Sequence, residues 1–324
     1  MLRSILLGWL LAACHTPPAA PNPIEAGALR ASVARAREDA IVVCGRRYAV
    51  DAPVRLWTED PFYDAYSTVP RFSSEGPDGL RYHPGRKARS PELAGRVARE
   101  GWTLRNLREQ VDLFVLHYDV AGTSESCFKI LQDRRELSVH FLLDVDGTIY
   151  QTLDLREQAW HARQANPRSV GIEIANIGAY EPGKKSALDK WYVRDRGGVS
   201  LRLPETLGDG GVRSKGFIAR PARHRRVRGT VHGVTYEQYD FTPQQYRSLV
   251  ALTAALNEAF PNIELQIPRD GRGAIRSDAL SASEFERYRG IIGHQHLTEA
   301  KRDPGPAFDW ERFLSDAQRA SARY

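Results

Sequence analysis

The run VDLFVLHYD at residues 111–119 decides how the chain is read. Its short apolar core, Leu113 to Leu116, marks a buried strand. It stops on His117, at the place where α/β proteins hold functional groups. Working outward, 123–135 has a helical pattern, Ser138 to Asp144 reads as a strand, Asp146-Gly147 as a tight turn and Thr148 to Thr152 as the return strand. Val170 to Ala175 reads as another buried strand, with Glu173 between Ile172 and Ile174 and so facing the opposite side. Thr242-Pro243-Gln244-Gln245 predicts a helix start, with Thr242 as N-cap, Pro243 at N1 and Gln245 completing a capping box. That helix carries Tyr246, Leu249, Val250, Leu252 and Leu256 to Phe260, where Pro261 ends it. Gly290 to His294 is a last short strand, and 307–320 a terminal helix. Strands interleaved with helices place the chain in the α/β class.

Composition narrows the field. The 324 residues are 42% hydrophobic and 27% charged, ordinary values for a globular protein. Three cysteines exclude a disulfide mini-protein. The only long apolar run is N-terminal, which excludes a polytopic membrane protein. Residues 1–14, MLRSILLGWLLAAC, are too short to span a bilayer and read as a signal segment. Their end, Leu11-Ala12-Ala13-Cys14, resembles a bacterial lipobox, with Cys14 as the lipidated residue. Residues 15–30 follow as a Pro-rich tether, 31–110 as an N-terminal extension of unassigned role, and 111–324 as the main domain with an insertion at 179–241. The expectation is an exported bacterial lipoprotein, membrane-anchored through Cys14, and on the periplasmic side of the outer membrane if the source is Gram-negative. In an exported protein Cys44 and Cys127 form a disulfide or remain two separately buried thiols, and the sequence leaves both open.

Among nine histidines, two end apolar strand-like runs: His117 in FVLH and His294 in GIIGH. Asp303 lies in KRDPGP, stiffened by Pro304 and Pro306. Two imidazoles and one carboxylate on rigid supports suit a catalytic zinc, which keeps its fourth position open. Lys301 and Asp303 are two residues apart, which in an extended segment puts them on one face. His296 competes with His294 for the same role; His294 is preferred because it directly follows the strand.

Several segments resemble the zinc-dependent N-acetylmuramoyl-L-alanine amidases, which share a fold with amidase-type phage lysozyme and peptidoglycan recognition proteins. They are LHYD (116–119), SVHFLLDVDGTIYQ (138–151), AWHA (159–162), SVGIEIAN (169–176), the 241–256 helix and GHQH…KRDPGPAFDW (293–310). The resemblance implies a mixed central β-sheet flanked by helices. It implies a Zn²⁺ cofactor held by His117, His294 and Asp303, with Glu173 as the catalytic acidic residue and Lys301 stabilising the oxyanion. Trp160 and His161 resemble residues lining the family's cleft and are expected at the substrate. His140 matches a histidine read as structural, while His224 and His232 are read as solvated. The implied activity is hydrolysis of the amide between N-acetylmuramic acid and L-alanine in peptidoglycan or muropeptides. The alternative is a non-catalytic peptidoglycan-binding lipoprotein of the same fold. A zinc peptidase lacks support, since no H-E-x-x-H occurs.

The net charge of +6 resides in one segment: 181–240 holds 13 basic and 7 acidic residues. The insertion is therefore expected to form a cationic rim that attracts the carboxylates of peptidoglycan. RHRRVR (223–228) lacks interleaved aromatics, so no nucleic-acid partner is expected.

Overall fold

The computed structural model describes residues 39–73 and 76–323. The signal segment, Cys14 and the tether lie outside the described residues; Ala40 opens a strand.

The first strands are β1 (Ala40–Val43), β2 (Arg46–Ala49) and β3 (Val54–Leu56), then the short β4 (Tyr82–His83). The sheet strands that follow are β5 (Leu113–Tyr118), β6 (Phe141–Leu143), β7 (Ile149–Gln151), β8 (Gln158–Ala159) and β9 (Ser169–Ile174). Two hairpins, β10 (Tyr192–Asp195) with β11 (Gly198–Leu201) and β12 (Arg226–Val231) with β13 (Val234–Tyr239), occupy the insertion. β14 (Gly290–Gly293) closes the list.

Six of these form the central sheet, in the order β14-β5-β9-β6-β7-β3. Only the β6–β7 pair is antiparallel, so the sheet is mixed, as the resemblance implied. Four neighbouring parallel strands, β14, β5, β9 and β6, run the same way and deliver their C-terminal ends to one edge.

Helices cover both faces. On one, Leu249, Leu252 and Leu256 of the Pro243–Ala259 helix share a core with Phe114, Leu116, Val170 and Ile172. The capping box read from Thr242 and Gln245 is present. Leu113 and Val115, alternating with that set, pack on the opposite face against Ala162, Phe285 and Leu297. By the same alternation His117 projects from this second face. Ile41, Val43, Val54 and Leu56 belong to the core of Phe114, so residues 39–56 are built into the main sheet's packing.

Three boundaries shift. β14 stops at Gly293, and His294 starts a 3-10 turn, His294–His296. The 123–135 helix is α-helical over Ser124–Lys129, then widens into a π-helical turn, Ile130–Arg135. The terminal helix begins at Trp310, where Asp309 caps it. Cys44 and Cys127 are both free thiols. The Cys44 thiol donates to the Trp102 carbonyl at 3.0 Å, while Cys127 is buried in the Ser124–Lys129 helix.

A candidate metal centre between two cavities

His117 and Glu173 are register partners on β5 and β9, so both side chains leave the same face at the C-terminal edge. His294 arrives from the turn after β14, the neighbour of β5 on its other side. Asp303 is brought in by the KRDPGP loop, which packs on Gly293; a Cβ there would sit 2.6 Å from the Pro304 ring. The glycine lets the loop lie against the strand end, and the Asp303–Pro304 peptide is cis.

The result is a triangle of ligand atoms. His117 Nδ1 is 3.0 Å from His294 Nδ1 and 2.9 Å from Asp303 Oδ2, and His294 Nδ1 is 3.1 Å from the same oxygen. All three residues are buried. Protons alone cannot satisfy this triangle. Two N–H groups aimed at the carboxylate would oppose each other across the nitrogen pair; one N–H would leave a lone pair unmatched. A cation held at about 2.0–2.1 Å from each atom fits above a triangle of this size. The protonation states agree as well. Burial and the neighbouring His294 push His117 down to about 4, which keeps it neutral. Burial alone would raise Asp303, but hydrogen bonds to His117 and His294 outweigh it and hold the carboxyl well below its usual range. A neutral imidazole and a carboxylate are what a metal needs.

Glu173 Oε2 is buried with no hydrogen-bond partner. Burial, then the charges of Asp303 and Asp119, raise this carboxyl well above its ordinary value. Lys301 is exposed and closes a turn, its N–H bonded to the Thr298 carbonyl at 3.2 Å. Its side chain lines the same cleft as Glu173.

His161 lines both cavities beside the triangle and is also tied into the protein. Its Nδ1 is 2.9 Å from His117 Nε2 and its Nε2 is 3.2 Å from Ser169 Oγ. Both ring nitrogens are therefore engaged inside the protein. The ring lies on Gly171, where a Cβ would come within 2.5 Å of it. Gly171 is two residues before Glu173 on the same face of β9, so the V-G-I-E pattern was the available signal. Trp160 is half-buried and lines a second cavity, about 480 Å³, with His161, Arg163, Gln164, Leu297 and Thr298.

The remaining histidines divide cleanly. His296 Nδ1 accepts from the Gly293 N–H at 2.9 Å, and its Nε2 is 2.8 Å from the Arg276 carbonyl, so it points away from the triangle. His140 is fully buried, accepting from the Gly171 N–H at 3.1 Å. His224 and His232 are not merely solvated: His224 accepts from the Val199 N–H at 3.0 Å, and His232 Nε2 meets the Lys301 carbonyl at 2.8 Å.

The main cleft, about 740 Å³, is lined from the insertion by His232, Val234 and Tyr236 alone. Its cations, Arg135, Lys301 and Arg302, come from outside the insertion. The arginines of RHRRVR are mostly paired off: Arg223 with Asp240 at 2.6 Å, Arg226 with Asp189 and Glu237, Arg228 with Glu237 at 2.7 Å. A cationic rim built from them is thus not what faces the site. The insertion serves instead as a strut. Gln238 donates to the Pro304 carbonyl at 3.1 Å and accepts from the Ala307 N–H at 3.1 Å, fastening β13 to the loop that bears Asp303.

Fold and site together define a mixed α/β protein with a buried His–His–Asp centre and an acid and a lysine beside it. Residues 107–200 match the family model described as N-acetylmuramoyl-L-alanine amidase, the family that the sequence segments resemble. The match takes in His117 and Glu173; His294, Lys301 and Asp303 lie beyond it and are joined to them by the fold. The sequence matches no curated protein. Among solved structures it is similar to the Escherichia coli N-acetylmuramyl-L-alanine amidase AmiD in complex with anhydro-N-acetylmuramic acid-L-Ala-D-γ-Glu-L-Lys. That likeness has a TM-score of 0.36 and 19% identity, covering 67% of this chain and 59% of AmiD. It is similar to the Ph2119 endolysin of a Thermus scotoductus bacteriophage, at TM-score 0.32 and 16% identity over 64% of this chain and 85% of that one. It is also similar to Drosophila peptidoglycan recognition protein SA, at TM-score 0.33 and 12% identity over 80% and 90%.

Proposed function

We propose that the protein is a zinc-dependent amidohydrolase that cuts the amide between N-acetylmuramic acid and L-alanine in peptidoglycan or muropeptides. The observation that supports this most strongly is the triangle of His117, His294 and Asp303, with unpartnered Glu173 and Lys301 in one cleft. The ligand atoms would be His117 Nδ1, His294 Nδ1 and Asp303 Oδ2. Zinc held by these three atoms would supply Lewis acidity to the scissile carbonyl and to the attacking water. Glu173, whose side chain lines the same cleft, takes the proton from the attacking water and passes it to the leaving amine. Lys301 stabilises the charge that develops on the carbonyl oxygen. His161 accepts the Nε2–H of His117, which leaves Nδ1 as the metal-facing nitrogen. The buried face of the sheet beneath the cluster keeps bulk water away from one side of the reaction.

The proposal extends to location. LLAAC at 10–14 supports export and lipidation at Cys14, checked by labelling cells with a radioactive fatty acid and comparing Cys14→Ala. The reaction is tested by mass spectrometry of sacculi and soluble muropeptides after incubation with the zinc-loaded protein. Release of free stem peptide beginning with L-alanine is expected. Binding to sacculi with no bond cut would overturn the enzymatic reading.

A further inference from the structure

The two cavities share Leu137, His161, His294, Ala300 and Lys301, so one substrate can thread both past the metal triangle. Glu173 lines only the larger. On the amidase reading, on which this inference rests, the residue that protonates the leaving amine must stand beside it. The peptide half therefore runs through the cleft of about 740 Å³, and the sugar half turns toward Trp160.

One cation in the peptide cleft is held in place without being neutralised. Arg302 Nε donates to the Tyr118 hydroxyl at 3.2 Å, and its guanidinium lies over the Tyr236 ring, 5.0 Å from the centroid. Tyr118 follows His117 on β5, while Tyr236 comes from β13 of the insertion. No carboxylate among the described residues pairs with Arg302, in contrast to Arg223, Arg226 and Arg228. Two tyrosines fix the plane of the fork, so little freedom remains to be lost when it meets a planar anion. We propose that Arg302 is a specificity-determining residue that receives a free carboxylate of the stem peptide, and that Tyr236 lets the insertion set its orientation. A γ-linked glutamate is the fitting chemistry, because its α-carboxylate stays free beside the backbone.

The test uses two muropeptides that differ only there: one with a free α-carboxylate on the γ-linked glutamate, the other with a primary amide. The wild type should favour the free acid by about 10- to 100-fold in kcat/KM, the range of a charge-assisted hydrogen-bonded pair. The preference should fall in KM, since the contact exists before and during the reaction. In Arg302→Gln the ratio should approach one, in Arg302→Lys it should be partly restored, and in Tyr236→Leu it should drop with Arg302 still present. A ratio near one in the wild type, or an unchanged ratio in Arg302→Gln, overturns the proposal. The same pair of free peptides, L-Ala-D-γ-Glu and its amide, is titrated by calorimetry in parallel. If neither muropeptide is cut but the acid peptide binds selectively and Arg302→Gln abolishes this, the amidase reading falls and the carboxylate site stands.

Discussion

The strand ends of the sheet and the hairpins of the insertion treat charge in opposite ways. At the sheet edge, ionisable groups are buried and close together: His117, His294 and Asp303 close a triangle on one another, His161 backs His117, and one oxygen of Glu173 has no hydrogen-bond partner. In the insertion the formal excess of basic residues is greatest, yet the most conspicuous arginines are tied to nearby carboxylates. Counting charge along the chain pointed to the insertion. Counting partners points to the sheet edge and to Arg302. A charge acts on a substrate when the protein has fixed it and left it unmatched, and that property belongs to the fold rather than to composition.

The sharpest way to break this comparison is to remove a corner of the triangle. His117→Ala, His294→Ala and Asp303→Ala should each cut bound zinc from about one equivalent toward none and abolish amide hydrolysis, measured by metal analysis and muropeptide turnover. His296→Ala should keep the metal, because His296 bonds to backbone groups on the far side of the turn. Metal lost with His296 and retained without His294 would reverse the assignment.

The next effect isolates the unpartnered groups. Glu173→Gln preserves shape and should retain zinc, but lose about 10²–10⁴ in kcat, the usual worth of a positioned proton-transfer group. Lys301→Ala should lose about 10²–10³, as for other removed oxyanion donors. Turnover near wild type in either variant would show that an unmatched charge at this edge is not by itself catalytic.

These groups differ in how far sequence could reach them. His117 was readable because an apolar run ended on it, and the Thr242 helix because its caps are local. The mixed sheet came through family segments, whose spacing carries tertiary information that periodicity does not. The choice between His294 and His296 turned on a 3-10 turn, and a two-residue offset there swaps a metal-facing ring for a structural one. The contact of His161 with His117 and the roles of Arg302 and Tyr236 were not legible, because the partners lie 44, 184 and 66 positions away along the chain. The π-helical turn that places Arg135 in the cleft has no local sequence signal that we can identify.

His161 offers a smaller and more discriminating test. His161→Phe keeps a ring over Gly171 but removes the acceptor for His117 Nε2. Loss of such an outer partner typically weakens metal binding by about 10- to 100-fold. Competition against a calibrated chelator should show that weakening, together with a changed visible spectrum of the cobalt-substituted protein. Equal affinity and an unaltered spectrum would reduce His161 to a wall of the cavity.

The smallest expected effect is on the insertion's own charges. Arg228 is two-thirds exposed and paired with Glu237 across β12 and β13, and it lines neither cavity at the site. Exposed ion pairs of this kind contribute about 0.2–1 kcal/mol, less as salt shortens the screening length. Arg228→Ser should therefore lower the melting temperature by a few degrees at most, by less still in 1 M salt, and leave KM for a soluble muropeptide where it was. If KM instead rose severalfold at low salt and recovered at high salt, the paired arginines would be acting on substrate at a distance. The contrast between matched and unmatched charge would then fail at its weakest point, while the metal triangle, which rests on geometry, would be untouched.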